Sequence, residues 1–76
     1  MTNTTAYPVR LAQVIRSRQH QAGLTTLALA EAAHIPRTTL QRRLGTGDFT
    51  AAELAGIADV LGTTVSALAA EAESAA

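Results

Sequence analysis

Four side chains on a short stretch of the chain, Thr38, Thr39, Gln41 and Arg42, are of types that hydrogen-bond nucleic acid. Arg and Gln make bidentate contacts to base edges in the major groove, and Thr donates to bases or phosphates. They alternate with Ile35, Leu40 and Leu44, whose spacing holds one face of a helix on a core and turns the polar residues outward. Other chemistries lack a residue set. His20 and His34 are the two imidazoles, on different elements and without Cys or a helically spaced carboxylate, so no metal site is expected. Glu53 fits a helix cap better than acid–base work, Asp48 and Asp59 have no basic neighbour in sequence, and no glycine-rich loop follows a strand. The threonines suit caps and turns rather than nucleophilic catalysis. Neither an enzyme activity nor a cofactor is expected.

The helices that must position those residues follow from apolar spacing and punctuation. Pro8 favours a first turn. Leu11, Val14, Ile15 and Ala22 then line one stripe, with Gly23 closing the helix. A second helix is predicted over 26–33, capped by Thr25, with Leu29, Ala30 and Ala33 facing inward. Pro36 forces Ile35 out of the helical region, so the chain turns near His34 before a third helix from Pro36 or Arg37 to Leu44. Residues 45–48 read as a loop. Thr50 and Glu53 match a capping box, with Phe49 stapled to Leu54, and Leu54, Ile57, Ala58 and Leu61 continue the stripe of a fourth helix to Gly62. Thr64 caps a fifth, with Val65, Leu68, Ala69 and Ala72 inward and Val60 off the core stripe of the fourth. The expected fold is all-α, five short helices in one domain over 7–72, with a flexible arm at 1–6 and a frayed tail at 73–76.

With 76 residues the chain has room for one small core. Its net charge of zero conceals a split: residues 1–43 carry all six arginines against Glu31, and residues 44–76 carry Asp48, Glu53, Asp59, Glu71 and Glu73 with no base. One face is thereby a candidate for a polyanion. No apolar run approaches the roughly 18 residues of a membrane span, and the chain reads as cytoplasmic.

Two short helices joined by a tight turn, with Ala30 and Ala33 permitting a steep crossing, are the minimum of a helix-turn-helix. The stretch from Gly23-Leu24-Thr25 through Leu29-Ala30 and the turn to Arg37-Thr38-Thr39-Leu40 resembles the lambda-repressor-like helix-turn-helix family of phage repressors, Cro proteins and Xre-type regulators. The segment Phe49-Thr50 to Leu61-Gly62 resembles that family's fourth helix, and together the similarity spans about residues 9–70. The sequence differs at His34, where the family usually has Gly, and at Arg43, where it usually has an apolar residue. The resemblance implies a small regulator of transcription, most like a Cro or minimal repressor, that inserts helix 36–44 into the major groove of an operator. It places base reading on Arg37, Thr38, Gln41 and Arg42. Phosphate contacts would fall to Thr26, Thr39, Arg43 and Arg16 and to the backbone amides around Gly45 and Thr46, while Arg10, Arg16 and Arg18 otherwise read as solvated. Specific binding by so small a domain calls for a homodimer or a neighbouring protein; no small-molecule ligand is expected. A competing reading is a protein-interaction module, an antitoxin or accessory protein on the same fold, although the short tail offers little to hold a partner.

Overall fold

The structure, a computed structural model, describes residues 6–74. Five helices follow one another: α1 (Tyr7–Gln21), α2 (Thr26–Ala33), α3 (Arg37–Thr46), α4 (Ala51–Val60) and α5 (Val65–Ser74). There is no strand among the described residues, and the expected all-α helix-turn-helix architecture is the one observed. Helix α1 packs on α3 and α5, α2 packs on α3 and α4, and α4 meets α5. Ile15, Leu29, Leu40, Ile57 and Leu68, one from each helix, are fully buried and form the centre of the core.

Local chemistry sets most boundaries. Thr25 Oγ1 accepts from the Ala28 amide at 3.0 Å and starts α2. At its end His34 adopts φ 59°, ψ 40°, and the Ile35 amide reaches back to the Ala30 carbonyl at 2.9 Å, a Schellman-type closure on a non-glycine residue. Left-handed backbone disfavours a Cβ, and a short polar side chain such as His tolerates it better than most. Thr64 Oγ1 accepts from the Ala67 amide at 3.0 Å and opens α5.

Several expectations need correction. Ala22 is exposed: α1 ends at Gln21, Gly23 turns the chain at φ 69°, and Ala12 and Gln19 occupy the buried face instead. Gly45 and Thr46 belong to α3, which runs two residues past Leu44 because nothing forces it out of helix until Gly47, at φ 80°. Val60 packs against the core, whereas Val65 is 36% exposed at the first position of α5. Glu73 and Ser74 complete α5. Residues 1–5 of the expected arm and 75–76 of the expected tail lie outside the described residues.

The capping box of α4 is fully formed. The Thr50 amide donates to Glu53 Oε1 at 2.9 Å and the Glu53 amide donates to Thr50 Oγ1 at 3.1 Å. Glu53 Oε1 also accepts from Arg43 Nε at 3.1 Å, which ties α3 to α4. The Thr50 amide, with Arg43 assisting, holds the Glu53 carboxyl below the usual carboxylate range. A carboxylate whose folded pKa is depressed stabilises the fold above its unfolded pKa, and that contribution is lost as pH falls through the folded value. Thr50→Ala should therefore cost about 0.5–2 kcal/mol at neutral pH. Because Thr50→Ala keeps the backbone amide that chiefly holds Glu53 low and removes only the hydroxyl that accepts from the Glu53 amide, the deficit relative to wild type should change little with pH. Urea melts of both proteins at neutral and acidic pH check this, and an equal midpoint at neutral pH would contradict it.

Candidate nucleic-acid interface

Helix α3 is held by Leu40, with no exposed surface, and Leu44, at 5% exposure. Residues on the opposite side must then face solvent, and Arg37, Thr38, Gln41 and Arg42 are all exposed. This is the set expected to read bases, brought together on one ridge; Thr39 is half-buried at its edge. Among the described residues, neither the Arg37 nor the Arg42 guanidinium has a hydrogen-bonding or ionic partner. The amides of Arg37, Thr38 and Thr39 precede the first helical bond of α3, from the Leu40 amide to the Pro36 carbonyl at 2.9 Å. Such open amides and the positive end of the helix dipole favour an anion.

The arginines that do not sit on this ridge are used differently from the expectation. Arg18 forms a two-pronged pair with Glu71, its Nε lying 3.1 and 3.2 Å from the two carboxylate oxygens. Its hydrogen bonding holds Glu71 below the usual carboxylate range. Arg10 donates from Nε to the Ala72 carbonyl in the last turn of α5 at 2.9 Å, and its guanidinium lies 5.7 Å from the Tyr7 ring centroid. Both side chains tie α1 to α5 rather than standing free in solvent. Arg16 is exposed and reaches the Leu44 carbonyl, an open group in the last turn of α3, at 3.5 Å.

Arg43, expected among the phosphate contacts, is half-buried and donates from Nε to Glu53. The amides of Gly45 and Thr46 are inside α3, the Gly47 amide donates to the Arg43 carbonyl at 2.6 Å and the Asp48 amide to Thr46 Oγ1 at 3.3 Å. The expected backbone cradle at Gly45 and Thr46 is thus spent within the chain. Thr46 Oγ1 also donates to the Arg42 carbonyl at 3.3 Å.

Thr26 opens α2 and is half-buried. Its hydroxyl oxygen lies 3.2 Å from Gln19 Nε2. Gln19 was not among the residues expected to matter; as one polar residue at helical spacing from Leu11 and Ile15, it carried no signal until α1 and α2 were seen in contact. The charge split is likewise partly consumed by folding, since Arg18–Glu71 and Arg43–Glu53 each join the basic half of the chain to the acidic half. What remains on the surface is a narrower basic ridge of Arg37 and Arg42 with Arg16 at the end of α3. A separate cavity of about 300 Å³ between the first turns of α1 and α5 is lined mainly by apolar side chains such as Pro8, Leu54 and Leu68. Among the described residues, no group of three or more His, Cys, Asp or Glu is placed to hold a metal ion. No single helix among them is long and apolar enough to cross a membrane.

A helix docked across a short preceding helix, with its polar ridge turned out, defines the class: an all-α helix-turn-helix domain. Among solved structures, the clp gene regulator ClgR from Corynebacterium glutamicum is similar, with a TM-score of 0.84 and 25% sequence identity over 96% of this chain and 79% of that one. No family model and no curated protein matches the sequence.

Proposed function

We propose that this chain is a transcriptional regulator that binds double-stranded DNA with α3 in the major groove. The observation that carries the reading is the ridge of Arg37, Thr38, Gln41 and Arg42, exposed on a helix whose other face is locked by Leu40 and Leu44. The likeness to a gene regulator supports it. Arg37, Thr38, Gln41 and Arg42 contact base edges, and Thr26, Thr39 and Arg16 contact phosphates on either side. In its finer form this is a Cro-like or minimal repressor acting in the cytoplasm, controlled by its own concentration. One α3 spans few base pairs, so a symmetric pair of copies would read inverted half-sites about one helical turn apart.

Selection of a preferred duplex from a random pool, followed by titration of that duplex and a scrambled one over a range of salt, tests the reading. Arg16 neutralising one phosphate would contribute about −0.9 to the log–log salt slope per protomer. A flat salt response, or equal affinity for the selected and scrambled duplexes, would end it.

A further inference from the structure

Gln19 is the buried polar side chain of the described core, 9% exposed on α1. An amide in that position is costly unless hydrogen-bonded, and its Nε2 donates to Thr26 Oγ1 at 3.2 Å. A hydroxyl has one hydrogen and two lone pairs. With a lone pair engaged by Gln19, the Thr26 hydrogen must point elsewhere, and it meets no acceptor among the described residues. Beside it stand the amides of Thr26 and Leu27, which precede the bonds that Thr25 makes to the Ala28 and Leu29 amides. The first turn of α2 contains no acidic residue. This corner therefore offers donors to an acceptor-only group such as a phosphodiester.

We propose that Gln19 is a positioning residue for DNA binding: by donating to Thr26 Oγ1, it keeps that hydroxyl turned outward as a donor to a backbone phosphate. The proposal rests on the DNA-binding reading and extends it to a side chain that touches no DNA itself. Its residue type matters. A carboxylate at position 19 would accept the Thr26 hydrogen, turning the hydroxyl inward and setting a negative charge near the phosphate. An apolar side chain of similar length would leave the hydroxyl undirected. The device also uses no cation, which suits a chain whose other basic residues are largely committed to ion pairs and helix ends.

The test measures affinity of the full chain for the selected and scrambled duplexes, with a thermal melt of each variant. Thr26→Val should weaken both duplexes alike by about tenfold, the scale of one hydrogen bond to a charged group. Gln19→Met should weaken both by about three- to fivefold, and Gln19→Met with Thr26→Val should be no weaker than Thr26→Val alone, because coupled residues are non-additive. Gln19→Glu should bind more weakly than Gln19→Met at mildly alkaline pH. It should recover in acid relative to wild type, since a protonated carboxyl can donate to Thr26 as the amide does. If Gln19→Met melts below the assay temperature, the pH dependence of Gln19→Glu, measured where its melt shows it folded, carries the test. Additive losses, or full affinity in Gln19→Met, would overturn the proposal. So would a Gln19→Glu deficit that does not change with pH. Wild-type binding that Thr26→Val leaves intact would remove this inference alone. Failure of the wild type to bind either duplex would remove the DNA-binding reading as well.

Discussion

Gly47→Ala is expected to be strongly destabilising, removing about 2–6 kcal/mol of the stability of the fold. Gly47 ends α3 at φ 80°, and a Cβ there would lie 1.8 Å from the Pro8 carbonyl oxygen and 2.2 Å from its carbon. The obstacle is backbone at the start of α1, so no rotamer change relieves it. Left-handed strain and overpacking together cost about 2–6 kcal/mol, against a total stability of about 4–11 kcal/mol for a domain of this size. Two positions earlier the same substitution should have the opposite sign. A Cβ on Gly45 meets nothing within 4 Å, and Gly45 lies inside α3, so Gly45→Ala should gain about 0.5–1 kcal/mol from its helix propensity. Denaturant midpoints of the two variants should therefore move apart. An unchanged midpoint for Gly47→Ala would mean that α3 does not close against Pro8.

Arg37→Ala and Arg42→Ala should each weaken the selected duplex by about 1–3 kcal/mol, the discrimination of a bidentate Arg–guanine contact, while costing far less on the scrambled duplex. Both side chains are exposed and partnerless among the described residues, so their removal should change stability by no more than about 0.5 kcal/mol. The loss would thus be one of recognition and not of fold. Arg16 serves as an internal contrast. It is placed at the C-terminal end of α3 against the Leu44 carbonyl, and Arg16→Ala should weaken both duplexes alike and reduce the salt slope by about one. Equal losses on both duplexes for Arg37 and Arg42 would assign them to phosphates, leaving sequence reading to Thr38 and Gln41 or to DNA shape.

A corresponding division separates the features legible in the amino-acid sequence from those that were not. Thr25, Thr50 and Thr64 cap the helices they were expected to cap, and Gly23 and Gly62 turn the chain just past α1 and α4. Leu40 and Leu44 determine which side of α3 is outward, so the base-reading candidates emerge together on one ridge. These features depend on contacts within about one helical turn, where spacing along the chain is nearly spacing in space. The end of α3 lies two residues beyond the Leu44 that composition suggests, because Gly45, Thr46 and Gly47 are all loop-forming residue types. Only the docking of Gly47 on Pro8 distinguishes the glycine that stops the helix from the one that continues it.

By itself, the sequence determined five helices, their caps, the turn at His34 and the polar face of α3. The tertiary structure decided which arginines remain available for a polyanion. Arg18 finds Glu71 across 53 residues of chain, Arg10 finds the Ala72 carbonyl across 62, and Arg43 shares Glu53 with a cap on the next helix. It also decided that Gln19 meets Thr26. The physical reason is one of range. Periodicity, capping and left-handed glycines act between residues a few positions apart. Ion pairs and buried polar contacts depend on how closely helices cross and on which side chains their small neighbours let through, and one-dimensional spacing does not encode that geometry.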